Sequence, residues 1–528
     1  CTNKAYHPPG HLSRIFYQAV CTTFELDLQA KPCYQESMHT HHSRKASDLI
    51  VPIPKSIEDW EGTFRLHPRI AIAAEKGFEA VHQLALELFG CKAGGEDILF
   101  KYQAGMEQEA YILTISKVQI VIKAGTDEGA FRGLSTIRKL ALLTDNQLPC
   151  CKVEDSPTFA WRGYMVDCSR HQFSIAFLKK LIDVASLFHL NRFHWHLTDD
   201  QGWRIPLDGW PKLESIASKR TELQYTDGRT YGRLYSKEEI LDLQAYAHAR
   251  HVLVVPEIET PGHASALLAA YPEFGCTGGP YETQDRWGIF EEVMCAGSDE
   301  LIGFLGDAIT QIAELFSSPY IHIGGDECPH AAWQQCPRCQ ERMRQLGLTD
   351  ARYLQSWITS KVCEMVHNAG KQPIGWDEVL EGTEQLGLPK DLIIMSWRGV
   401  QGGLEATRRG HQVIMCPNTA GCYFDYKHLD SEEEMGTLGV STLNQVAHFS
   451  CVPDSLQAQA KAYVLGSQGN LWTEKVTTSR QAEYLLFPRL MMLAQQLWKP
   501  EDAEKVLQSK STLTQLCDAL DLACYRGE

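Results

Sequence analysis

The sequence predicts an α/β chain: a (β/α)8 barrel of the TIM type, preceded by a small α+β domain. Two observations predict it. From about residue 156 to 500, eight short apolar stretches recur, most of them followed by helical periodicity. Acids, aromatics and an arginine collect where those stretches end, as expected at the C-terminal rim of such a barrel, and nothing comparable marks their beginnings.

The elements follow in order. Residues 1–46 hold three cysteines, a Pro-Pro pair and the stretch His39-Thr40-His41-His42 without a clean period, and read as a weakly ordered lead-in. Residues 47–155 read as the small domain. Short strands are expected at 50–54 and 69–72, a helix at 77–89, a strand pair at 110–115 and 118–122, and a second helix at 127–143. Residues 156–500 carry the barrel. Its strands are expected at 163–168, 192–197, 252–258, 320–324, 372–376, 392–397, 412–416 and 463–466. Helices are expected at 175–188, 237–249, 301–316, 353–368, 402–409 and 480–497. Little helix separates the fifth strand from the sixth, and 418–453 is irregular. Residues 501–528 read as a C-terminal helical segment.

Composition narrows the function. A chain of 528 residues exceeds one ordinary core, so more than one domain is expected. With 50 basic and 66 acidic residues, the net charge of −16 argues against nucleic acid or an anionic membrane as the main partner. No apolar run approaches the roughly 18 residues of a transmembrane helix. Eighteen cysteines are many, but a chain this long does not depend on disulfide staples, and the redox compartment stays open. Cys1-Thr2-Asn3 is compatible with the lipidated end of a mature bacterial lipoprotein. Export is therefore the expectation, periplasmic or anchored to a bacterial membrane through Cys1, with a trimmed end as the plainer alternative. The oligomeric state is not legible.

Tyr320-Ile321-His322-Ile323-Gly324-Gly325-Asp326-Glu327 runs an apolar strand into two glycines and two adjacent carboxylates. Glycine lets the chain turn and lets a ligand approach. Two crowded acids raise each other's pKa, which can keep one protonated near neutrality, as cleavage of a glycosidic bond requires. Taken alone, the Asp-Glu pair is more often a solvated turn. Three more segments change that balance: Asp167-Cys168-Ser169-Arg170-His171, His194-Trp195-His196-Leu197-Thr198-Asp199-Asp200-Gln201-Gly202-Trp203-Arg204 and Pro256-Glu257-Ile258-Glu259-Thr260-Pro261-Gly262-His263.

Together, from about residue 47 to 500, these motifs resemble the signatures of glycoside hydrolase family 20, the β-N-acetylhexosaminidases. The resemblance implies removal of terminal β-linked GlcNAc or GalNAc from glycans, with retention of configuration and no cofactor. It also implies substrate-assisted catalysis, in which the 2-acetamido oxygen attacks the anomeric carbon to give an oxazolinium intermediate. By the same resemblance Glu327 is the acid and then the base, Asp326 accepts the acetamido N–H, and Tyr423 donates to the acetamido carbonyl. Trp376, Trp397 and Trp472 would wall the pocket, and Arg170, Asp425 and Glu474 would hold the sugar hydroxyls. Asp199 and His263 would position Glu327 and its neighbours. Glu259 departs from the usual Asp, which puts its contact with His263 in doubt. A lacto-N-biosidase, a member preferring sulfated GlcNAc, or a catalytically silent sugar binder on the same fold are the alternatives.

Other motifs carry less. Cys328, His330, Cys336 and Cys339 form C-x-H-x5-C-x2-C, a pattern that could hold a structural zinc, a disulfide or free thiols. His39, His41 and His42 lack acidic or cysteine partners and read as a solvated tail. No glycine loop of phosphate-binding type follows a strand, and no Ser or Cys nucleophile elbow is present.

Overall fold

The computed structural model describes residues 44–89, 92–93, 95–222, 227–429 and 436–527. The expected lead-in, with Cys1 and the histidine cluster, lies outside them except for its last three residues. Residues 44–528 form one compact unit.

The small domain is built on a seven-stranded sheet among the described residues. Its order is Ser56–Arg65, Gln147–Asp155, Tyr111–Ile115, Ile120–Ala124, Ile98–Tyr102, Ala71–Ala74 and Lys92–Ala93. Two helices pack on it, Glu79–Phe89 and Asp127–Leu143, the second capped by the Thr126 side chain accepting from Gly129 N–H. The strand expected at 50–54 does not form, because Pro52 and Pro54 have no N–H to give a ladder. Instead Ile53 N–H donates to Gln495 Oε1 (2.6 Å) and Lys55 N–H to Asp155 Oδ1 (3.0 Å).

Eight parallel strands close the barrel: Trp161–Asp167, Arg192–His196, Leu253–Glu257, Tyr320–His322, Gln372–Trp376, Ile393–Ser396, Val413–Met415 and Val464–Leu471. Three of the helices between them are capped by serine, with Ser174, Ser236 and Ser298 each accepting from a backbone N–H of the first turn. Only a short 3-10 turn, Asp377–Leu380, follows the fifth strand. The last helix is two, Ser479–Leu486 and Arg489–Trp498, broken where Pro488 has no N–H to continue the ladder. Beyond them Ala503–Gln508 and Lys510–Ala519 are helical, and the latter packs on Asp127–Leu143. No helix of the described residues is long and apolar enough to cross a membrane.

Buried polar groups join the small domain to the barrel. Arg162, on the first barrel strand, forms an ion pair with Glu109, which Arg132 also meets at 2.8 Å. Burial pushes the Glu109 carboxyl up, but the two guanidiniums outweigh it and hold it at about 2. Trp498 Nε1–H donates to Asp155 Oδ1 (2.9 Å), so the barrel's last long helix is pinned to the sheet of the small domain.

Polar residues fill the barrel's centre. Glu257 accepts from Trp376 Nε1–H (2.8 Å), lies 2.8 Å from His322 Nδ1 and 3.0 Å from His194 Nε2, and contacts His196 Nδ1. Burial raises the Glu257 carboxyl, yet the surrounding imidazoles hold it well below the usual range. An ionised carboxylate is thus fixed directly beneath the rim.

Candidate active site

The site is made where the strands end. After Tyr320–His322 the chain passes through Gly324 (φ +68°) and Gly325 (φ +103°), a backbone region that L side chains avoid. A Cβ on Gly324 would come 1.9 Å from Glu259 Oε2, and one on Gly325 would come 2.3 Å from Val379 Cγ1. The glycine pair therefore lets the loop drop onto its neighbours and aim Asp326 and Glu327 inward. Glu327 itself has φ +44°, a strained value of the kind that persists at functional sites.

Asp326 is buried, and its Oδ1 has no hydrogen-bond partner. Burial, with Glu327, Glu257 and Asp199 nearby, raises its carboxyl to about 6 although His263 opposes the rise. Glu327 is half-buried. Both acids face His263, whose Nε2 lies 3.6 Å from Asp326 Oδ2 and 3.5 Å from Glu327 Oε2. The other ring nitrogen, Nδ1, is 3.2 Å from Asp199 Oδ1 and 3.0 Å from Asp200 Oδ2. Burial alone would strip the imidazole of its proton. The ring of carboxylates outweighs it and drives the pKa well above the ordinary value, so His263 is a cation bridging two acid pairs.

Asp326 and Glu327 line one cavity of about 420 Å³ with Tyr423, Trp376, Trp397 and Trp472. Trp397 stacks on Tyr423 (6.0 Å, 24°), and Trp376 meets Trp472 at 5.9 Å. Two of the indole N–H groups are tied outside the cavity, Trp376 to Glu257 and Trp397 to Glu378 Oε2 (2.7 Å), which fixes those ring planes as walls. Burial holds the Tyr423 phenol well above its usual pKa, so it remains a donor. Arg170, Asp425, Glu474 and His263 line the same cavity. Arg170 meets Asp199 Oδ2 at 2.8 Å, Asp167 Oδ2 at 3.3 Å and Glu474 Oε1 at 3.9 Å. One oxygen each of Asp425 and Glu474 is buried without a partner. Burial and the Glu474 charge raise the Asp425 carboxyl to about 7.

Profiles of known families match this architecture over nearly its whole length. The catalytic domain of glycosyl hydrolase family 20 matches residues 159–501, and domain 2 of the same family matches residues 49–156. The chain belongs to glycosyl hydrolase family 20. Among its relatives, the β-hexosaminidase of Porphyromonas gingivalis is 36% identical over 502 residues, covering 90% of this chain and 63% of its own length. That of Akkermansia muciniphila is 31% identical over 401 residues, 75% of this chain and 80% of its own. In structure, the family 20 exo-β-N-acetylglucosaminidase of Vibrio harveyi, solved with N-acetylglucosamine, superposes with a TM-score of 0.83 at 29% identity, covering 91% of this chain and 78% of that one. The β-N-acetylhexosaminidase of Bacteroides fragilis gives 0.79 at 27%, covering 90% and 96%.

In this family 20 site Glu259, whose contact with His263 the sequence left in doubt, makes no ion pair or hydrogen bond with it: neither carboxylate oxygen has a hydrogen-bond partner, Oε1 lies 4.0 Å from His196 Nδ1, and burial beside Asp326 and Glu257 keeps the carboxyl well above the usual range. The longer side chain turns under Gly324 instead, and Asp200 joins Asp199 on the imidazole. The cysteine motif divides. Cys328 lies near Gly262, and His330 pairs with Gln355 Oε1 (3.0 Å), while Cys336 and Cys339 join Cys276 and Cys295.

Several site residues escaped the sequence reading. Glu378, raised to about 9 chiefly by burial and then by Asp326, was within reach as the second acid after Trp376. Trp287, Gly288 and Ile289 line the cavity from a stretch without period or motif, and Lys475 sits 5.5 Å over the Trp287 ring. Nothing in the local sequence marked them.

Proposed function

We propose that this chain is an exo-acting β-N-acetylhexosaminidase that releases terminal, non-reducing β-linked GlcNAc or GalNAc with retention of configuration. The observation that carries the reading is one cavity shared by an acid pair, a phenol and three indole walls, with Asp326 Oδ1 free to accept a hydrogen bond.

In this reading the sugar's 2-acetamido group lies among the tryptophans, whose faces suit its methyl group and the apolar C–H surface of a pyranose. Asp326 accepts the amide N–H, and the Tyr423 hydroxyl donates to the amide carbonyl. Glu327 gives its proton to the glycosidic oxygen as the C1–O bond breaks and the carbonyl oxygen bonds to C1. Positive charge spreads over the new five-membered ring beside the Asp326 carboxylate, which stabilises it. Glu327, now a base, takes a proton from water as that water attacks C1, and the ring opens to give the β-anomer. Arg170, Asp425 and Glu474 hold the hydroxyls of the terminal sugar.

The test is turnover of 4-nitrophenyl β-GlcNAc and β-GalNAc, with the first-formed anomer read by proton NMR. Release of β-sugar is expected. Inverted product, or no turnover of either glycoside, contradicts the proposal.

A further inference from the structure

Cys276, Cys295, Cys336 and Cys339 form a cluster that takes no part in the cavity. The sulfurs of Cys295 and Cys339 are 3.6 Å apart, those of Cys295 and Cys336 3.7 Å, and those of Cys276 and Cys339 3.9 Å. All four lie within 4.8 Å of one another. A disulfide needs about 2.05 Å, so no two of these sulfurs are bonded. Four thiolates about 2.3 Å from a central zinc in a tetrahedron stand about 3.8 Å from each other. The observed separations bracket that value.

We propose that these four cysteines are a closed, structural tetrathiolate zinc site. Three of them are buried and Cys276 is half-buried, which leaves no open position for substrate or water. Four thiolates on a divalent ion carry a net negative charge, and Arg338 lies beside them, its guanidinium held by Gly275 O (2.5 Å) and Glu273 O (3.2 Å). The site ties two loops together. Cys276 and Cys295 come from the segment after the third barrel strand, which also carries His263. Cys336 and Cys339 flank the start of Pro337–Leu346, just beyond Asp326 and Glu327. The backbones already touch there, since a Cβ on Gly297 would fall 2.2 Å from the Arg338 carbonyl carbon. Zinc at this point would clamp the histidine loop to the acid loop behind the site, without entering the chemistry.

The test is elemental analysis of the intact protein, purified without chelator. About one zinc per chain is expected. Cys295→Ser should lose it, whereas Cys328→Ser, outside the cluster, should keep it. If Cys295→Ser does not fold, cobalt exchange into the parent protein serves instead, with thiolate-to-cobalt charge-transfer bands expected. Less than about a tenth of an equivalent of zinc, two disulfides by mass spectrometry of the unreduced protein, or cobalt binding without thiolate bands overturns the proposal. The outcome is independent of the glycosidase reading.

Discussion

Asp326→Asn isolates the charge on which the proposed chemistry leans. Asparagine keeps the volume of the side chain, so the cavity and its tryptophan walls should survive. What changes is a buried carboxylate with one free oxygen, replaced by a neutral amide. In the ground state the loss is one charge-assisted hydrogen bond to the acetamido N–H, roughly 1.5–3 kcal/mol. In the transition state the ring is cationic, and a unit charge about 4 Å away at an effective dielectric of about 20 contributes on the order of 4 kcal/mol. Relief of crowding with Glu327 and Glu259 offsets part of this. We expect kcat on 4-nitrophenyl β-GlcNAc to fall roughly 10²–10³-fold, about 3–4 kcal/mol, with KM changed by less than about tenfold. Steady-state kinetics reads both, and a thermal melt checks that the variant is folded. A folded variant whose kcat stays within about threefold of the parent refutes the reasoning.

Three further outcomes are expected. Glu327→Gln should lower kcat by roughly 10²–10⁴ on disaccharide substrates but much less on 2,4-dinitrophenyl glycosides, whose leaving group needs no proton; an equal loss on both removes Glu327 as the acid. Because burial raises Asp326 to about 6 and the reaction needs its charged form, kcat/KM should fall as pH drops through about 6. That limb should vanish in Asp326→Asn, and its persistence there would assign it to another group. Gly325→Ala places a side chain at φ +103° against Val379 and should destabilise by about 1–3 kcal/mol, seen as a lower Tm together with lost activity; an unchanged Tm contradicts the strain argument.

The barrel was legible because parallel strands buried on both faces read as short apolar runs, and most of the helices between them show helical spacing of apolar residues. The small sheet was legible only in part. Ser56–Arg65 is largely exposed along its length and holds three acids, so nothing marked it as a strand. Asp326, Glu327 and Arg170 stand at strand ends within dense motifs, whereas the three indoles were named through the family resemblance, and all six line one cavity. Trp287 and Ile289 sit in a loop where no periodicity operates. The sulfur cluster was half-found: Cys336 and Cys339 are close in sequence, but Cys276 is 60 or more positions away from both, and only the fold brings it back. For Glu259 the departure from Asp was legible and put its contact with His263 in doubt, but that the carboxyl lies against Gly324 depends on the folded glycine loop.

The central claim is that the substrate's own amide oxygen attacks C1, and fluorination of the N-acetyl methyl group tests it most directly. Each fluorine withdraws electron density from that oxygen while adding little bulk. The account predicts that kcat/KM falls steeply and progressively from the acetamido through the mono-, di- and trifluoroacetamido glycosides. A flat series, with the trifluoro substrate cleaved as fast as the parent, would mean that some other nucleophile makes the bond.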